Sequence, residues 1–232
     1  MGGADDGLVR RLRAALAERA DPARGEAQQH YMKSAMPFLG LGSPQLRDAL
    51  RPVLGPWRPP DRPTWEATVL LLWEEATHRE ERYAAIKLVR HRQARGWLDP
   101  EALPLLRHLV VTGAWWDLVD ELATHPIGDV LAAYRPEVTP VMLGWADDRD
   151  LWTRRAAVLC QVGDKAETDA GLLRAVVEAN AEDPTFWLRK AIGWALRDYA
   201  RTDPDWVRAE VDRLGDRLSG LSRREALKHL GG

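Results

Sequence analysis

A chain of 232 residues is long enough to bury a substantial core, as one large domain or two small ones. With 33 Lys and Arg against 35 Asp and Glu the net charge is -2, so no overall basicity marks a nucleic-acid binder, and such a role must come from segregated charge. Cys160 is the sole cysteine, which excludes an internal disulfide and suits a reducing cytoplasm; the six histidines form no ligand cluster with it, so neither a metal site nor a cofactor is expected.

The first seven residues, Met1 to Gly7, are acidic and lack the apolar region of a secretory signal, and no apolar run approaches the length of a membrane span. A soluble cytoplasmic monomer without membrane contact is expected. Arginine outnumbers lysine 28 to 5, which fits a GC-rich bacterial genome. Helical periodicity runs through almost every segment and sustained strand alternation is absent, so the class is all-α. Starts and stops predict helices over 5–20, 24–38, 43–55, 62–77, 79–95, 99–111, 114–124, 126–133, 137–146, 149–162, 167–180, 185–201, 204–217 and 221–230. The sharpest starts are Ser43-Pro44, Asp99-Pro100, Asp183-Pro184 and Asp203-Pro204, each a capping side chain before a proline at the first helical position.

Alanines recur at 49, 84, 156, 191 and 226, in steps of 35, 72, 35 and 35, and the midpoint of the double step is Asp120. A helical hairpin of this length, repeated, reads as a HEAT-like solenoid over residues 1–232, taken as one domain, in which one helix of each pair lines an inner curve. The alternative is an irregular bundle with chance alanines. Charge separates along the repeat: the inner segments 79–95, 185–201 and 221–230 carry net charges of +4, +3 and +2, whereas the outer segment 164–183 has two basic residues against six acidic ones. A basic concave face is the footprint of a polyanion, with duplex DNA as its natural convex partner. Any one such helix read alone is simply a solvated face.

Most of the eleven tryptophans are expected in the core, among them Trp65, Trp73, Trp145, Trp152 and Trp206 on amphipathic outer helices. Trp116 and Trp194 differ because both fall on inner helices beside the alanine phase. Trp116 and Asp120 stand four apart and share a helix face, while Trp115 and Asp117 serve packing and a helix end. A carboxylate on a basic face opposes phosphate binding, so Asp120 either has a chemical role or is salt-bridged to a neighbouring arginine.

Several stretches, in order and at similar intervals, carry a resemblance: Tyr31-Met32-Lys33 through Pro37-Phe38-Leu39-Gly40, Thr112 to Asp120, Arg154-Arg155-Ala156-Ala157, Lys190 to Ala200, and the closing Leu221 to His229. Together they resemble the DNA alkylation repair (AlkD-like) DNA glycosylases, over most of the chain. The resemblance implies a HEAT-like crescent that holds duplex DNA and removes cationic N3-alkyladenine and N7-alkylguanine, without flipping the base into a pocket. It further implies that Asp120 is the catalytic carboxylate, that Trp116 and Trp194 face the groove, and that Arg155 and Tyr31 contact DNA. Arg154, Lys190 and Arg197 are the further DNA-binding candidates, as basic residues within the matched stretches. Departures are Phe186-Trp187, where two phenylalanines are usual, and a proline-rich connection from Pro52 to Pro63.

The residue types suit the bond. An N3- or N7-alkylated purine already carries positive charge, so it leaves without a proton from the protein. The cationic sugar is what needs stabilising. A carboxylate does this electrostatically, and indole faces add cation–π attraction. Two alternatives stand beside this: a non-catalytic helical scaffold for DNA or protein, against which the retained Trp116, Asp120 and Trp194 argue, and the same glycosylase chemistry used as self-resistance to a DNA-alkylating natural product, which the sequence does not separate from housekeeping repair.

Overall fold

Aspartates set many of the helix starts. Asp5, Asp21, Asp61, Asp150, Asp169 and Asp203 each accept a backbone N–H from the following first turn, satisfying donors that the helix itself leaves open. The computed structural model describes residues 2–230, and every regular element among them is helical. The chain forms two compact units, Met1–Trp97 and Leu98–Gly232.

The first unit holds α1 (Asp6–Ala17), α2 (Pro22–Met32), α3 (Ser43–Leu54), α4 (Arg62–Glu74) and α5 (Arg79–Val89). Leu8, Leu12 and Leu16 form one apolar stripe on α1, fully buried, and α1 packs on α3, α4 and α5. Trp65 and Trp73 are also sealed from solvent, and truncating either indole would cost about 3–5 kcal/mol. The Trp65 N–H is satisfied by the Leu88 carbonyl at 3.0 Å. The Pro37 to Leu41 stretch is a clamp: buried Glu80 accepts the N–H groups of Leu39, Gly40 and Leu41 at 2.9, 2.9 and 3.0 Å. Gly40 lies at φ +94, and a Cβ there would sit 2.1 Å from the Asp21 carbonyl oxygen, so only glycine lets the clamp close on the start of α2. Tyr31, at the far end of α2, stands 78% exposed.

The second unit holds α6 (Leu103–Gly113), α7 (Trp116–Leu122), α8 (Gly128–Ala133), α9 (Arg135–Ala146), α10 (Leu151–Leu159), α11 (Ala170–Asn180), α12 (Phe186–Tyr199), α13 (Pro204–Leu214) and α14 (Gly220–Ala226). Here α7, α10, α12 and α14 pack in succession as one layer, and α6, α9, α11 and α13 pack behind them. That two-layer stacking of helical hairpins is a HEAT-like repeat. Ala156, Ala191 and Ala226, at the predicted 35-residue spacing, are fully buried within the first layer, where small residues let neighbouring helices approach. Gly193 takes this furthest: a Cβ there would meet the Glu225 Cβ at 2.5 Å, so α12 and α14 touch only because that side chain is absent. Trp152 is buried as expected, but on α10 in this layer and not on an outer helix.

Some predicted ends move, each for a local reason. The helix over 24–38 stops at Met32, where Lys33 turns left-handed at φ 51. The one over 79–95 stops at Val89 and resumes only as a 3-10 segment, Arg92–Trp97. Asp203 caps α13 as predicted, accepting the Trp206 N–H at 2.9 Å, and Asp99-Pro100 opens a short 3-10 turn ahead of α6. Ser43 is already the first residue of α3, behind Gly42. Asp183 lies two residues ahead of the Thr185 cap position of α12; its carboxylate accepts the Thr185 N–H at 2.7 Å and an arginine instead. Between α7 and α8 the backbone never leaves the helical path. Residues Ala123–Ile127 form a π-helical turn around Pro126, whose missing N–H breaks the regular ladder there.

Candidate active site

Asp120 and Arg155 meet. The residues lie on the adjacent helices α7 and α10, and the guanidinium grips the carboxylate with two hydrogen bonds, Nε to Oδ1 at 2.7 Å and Nη2 to Oδ2 at 2.8 Å. This two-pronged geometry fixes direction as well as distance. The Arg155 side chain is 5% exposed and that of Asp120 15% exposed, so the pair sits beneath the surface with the carboxylate on its more open side. A third arginine N–H, on Nη1, is donated to the main-chain carbonyl of Trp187 on α12. Three of the five guanidinium N–H groups are used in this way. The salt bridge raised as an alternative for Asp120 is therefore present, and its partner is another candidate site residue.

The charge state of Asp120 is contested by its surroundings. Burial pushes the carboxyl up from its ordinary value; the Arg155 hydrogen bonds and charge pull it down, and Asp117 on the same helix raises it further. Burial prevails, and the value is raised. Trp116, one turn before Asp120 on α7, is half-buried. Trp194 is half-buried as well, on α12, the other neighbour of α10. Neither indole stacks on another ring or makes a hydrogen bond through its N–H among the described residues.

The other basic candidates are engaged with acids. Lys190, Trp194 and Arg197 are spaced along one face of α12, and Glu225 on α14 reaches both cations, Lys190 at 3.1 Å and Arg197 more tightly. The close approach at Gly193 is what brings Glu225 within reach of both. Arg154, one residue from Arg155 and so about 100° around the helix, turns away to Asp183 at 2.7 Å. Tyr31 belongs to the first unit and is the most exposed large aromatic side chain among the described residues.

Three further aromatic residues lie at this site that spacing alone did not single out. Trp115, the residue ahead of α7, Trp152 on α10 and Trp187 on α12 pack mutually, with ring centroids 6.0, 5.2 and 5.7 Å apart. The Arg155 guanidinium lies 5.9 Å from the Trp187 ring centre. The signal available in the sequence was Trp152 one turn before Arg155; the meeting of three helices was not visible there.

Elsewhere little competes. Burial pushes the Cys160 thiol up to about 12, which removes it as a nucleophile. Among the described residues no group of three or more His, Cys, Asp or Glu is placed to hold a metal ion, and no helix is long and apolar enough to cross a membrane.

Stacked helical hairpins presenting an arginine-held carboxylate among indoles define a helical-repeat protein with an acidic, aromatic site. The chain belongs to the DNA alkylation repair enzyme family, whose model matches residues 12–230. Among solved structures it is similar to a predicted DNA alkylation repair enzyme from Enterococcus faecalis, at 27% identity over 91% of this chain and 97% of that one, with a TM-score of 0.81. The fold is shared with AlkD2 from Streptococcus mutans, at 19% identity over 90% and 99% of the two chains and a TM-score of 0.62. It is shared also with smu.31 from Streptococcus mutans UA159, at 20% identity over 73% and 85% and a TM-score of 0.59. No curated protein matches the chain. Family membership makes DNA the substrate class.

Proposed function

We propose that the protein is a DNA glycosylase that hydrolyses the N-glycosidic bond of cationic alkylated purines, N3-alkyladenine and N7-alkylguanine, in duplex DNA, as a step of base excision repair. The observation that carries this reading is the Asp120–Arg155 pair, a carboxylate aimed by two hydrogen bonds on a helix that also carries Trp116. A cationic base leaves without protonation, so the burden falls on the sugar. As the bond lengthens, positive charge grows on the deoxyribose ring. Asp120 stabilises it across a poorly solvated gap, where the charge is worth more than in water. Trp116 and Trp194 offer indole faces to the same cation. Asp120 also accepts a hydrogen bond from the water that attacks the anomeric carbon, in the manner of carboxylates in glycoside hydrolysis.

Arg155 has a clear part in this. Burial works against the carboxylate charge, and the guanidinium opposes that effect while directing Asp120 through two hydrogen bonds. Tyr31, Lys190, Arg197 and the remaining N–H groups of Arg155 are the proposed contacts to the DNA backbone, with Arg154 supporting α10 from behind through Asp183. A cationic base needs no proton donor to leave, so neutral bases are expected to be poor substrates.

The test is incubation of the purified protein with duplex DNA carrying N7-methylguanine, N3-methyladenine or uracil, scoring free base over the spontaneous rate. Release of the two cationic bases and not of uracil is the expected result; robust uracil release would overturn the mechanism.

A further inference from the structure

Three indoles meet where three helices of the second unit need to be held in register. Trp115 immediately precedes α7, which carries Trp116 and Asp120; Trp152 lies on α10, one turn ahead of Arg155; Trp187 lies on α12, two turns ahead of Trp194. Each ring touches the other two, with centroids between 5.2 and 6.0 Å apart in tilted or edge-on geometry. The Trp115 N–H is buried and has no hydrogen-bond partner among the described residues. An indole in such a setting slides only if its neighbours move with it.

Trp187 does more than fill space. Its main-chain carbonyl accepts the Nη1 hydrogen of Arg155, and its ring lies beside the same guanidinium at 5.9 Å from the ring centre, within cation–π range. The far edges of the guanidinium, Nε and Nη2, carry the Asp120 carboxylate. Arg155 is thus held on both sides, by Trp187 on α12 and by Asp120 on α7. The charged groups acting on Asp120 are Arg155 from α10 and Asp117 from its own helix.

We infer that Trp187 is a positioning residue for the Asp120–Arg155 pair: its ring, keyed against Trp115 and Trp152, holds the start of α12 where its carbonyl can lock the guanidinium. Trp187 is not a catalytic residue, since it acts on the carboxylate only through Arg155. The inference deepens the glycosylase reading by assigning what orients its carboxylate, but the contact itself is testable without base release.

Two measurements on Trp187→Ala and Trp187→Phe separate the possibilities. In protein labelled with 13C at aspartate carboxyls, the Asp120 titration midpoint should move in Trp187→Ala, and the Arg155 Nε–H resonance should lose its protection from exchange. Trp187→Phe, which keeps a ring at the position, should restore most of both. On N7-methylguanine duplex, Trp187→Ala should slow single-turnover release about tenfold or more and displace the acid limb of its pH–rate profile. Should the truncation fail to fold, Trp187→Leu keeps much of the volume and takes its place. A folded variant with unchanged Asp120 titration and an unchanged Arg155 signal overturns the inference. If the resonances move as stated while the wild-type protein releases no base, the glycosylase reading falls and the positioning role stands.

Discussion

Two carboxylates in the second unit are both buried and both gripped by arginine, yet their surroundings treat them oppositely. Glu210 on α13, in the rear layer, has a side chain sealed from solvent and receives Arg174 at 3.0 Å and Arg213 at 2.6 Å. Burial raises its value, but the hydrogen bonds and charges of two arginines outweigh it and hold the carboxyl below its ordinary range. Asp120, in the front layer, has one arginine, and burial wins. The first is a completed ion cluster, continued outward by Glu178 with Arg213 and Arg217. The second is charge held short of neutralisation, on the more open side of its pair. The first arrangement ties helices of the rear layer together with two arginines to one carboxylate; in the second a single arginine faces the carboxylate, and burial outweighs it.

Breaking the front pair should show this most strongly. Asp120→Asn is expected to slow single-turnover excision by about 100-fold or more, with binding to undamaged duplex preserved or improved. An unchanged rate per folded molecule would remove Asp120 from the chemistry. The rear pair should respond the other way: Glu210→Gln is expected to lower unfolding free energy by about 1–3 kcal/mol and leave the excision rate alone. The sign of its pH dependence sharpens the contrast. A lowered carboxyl adds stability that is present above the ordinary range and is lost as pH falls through the folded value, so urea melts of wild type and Glu210→Gln should converge in acid. Asp120 has the reverse sign: its raised value subtracts stability as pH rises from the ordinary range through the folded value, and the excision rate should fall in acid at a pH above that range. The smallest change concerns Glu225. Replacing it with Gln should release Lys190 and Arg197, raise affinity for undamaged duplex and steepen its salt dependence by about one ion per freed cation, read from binding isotherms across ionic strength. An unaltered slope would take both cations out of the DNA contact.

Much of this arrangement was legible in the sequence because it rests on local periodicity. The alanines at 156, 191 and 226 lie in the closely packed layer the spacing predicted, and Trp116 and Asp120 share a helix face because four residues make about one turn. What the sequence hid are pairings between helices. Counting charges along 185–201 makes that helix basic, but Glu225, from α14, occupies two of its four cations. Asp183 looks like a cap beside Pro184, yet its carboxylate serves Thr185 and Arg154. Trp187 acts on Arg155 partly through a main-chain carbonyl, which no residue type announces.

The π-helical turn at Ala123–Ile127 has a consequence for how one helical path serves two purposes. An additional residue in a turn rotates everything beyond it by about 100° relative to an uninterrupted helix. Ahead of the turn, the α7 surface carries Trp116 and Asp120; beyond it, Val130 and Leu131 are fully enclosed. The Thr124 hydroxyl, inside the turn, bonds back to the Asp120 carbonyl at 2.8 Å and ties the two phases together. Pro126 thus works as a gear tooth: it lets the chain turn the Asp120 face in one direction and anchor itself in another, within a single unbroken rod.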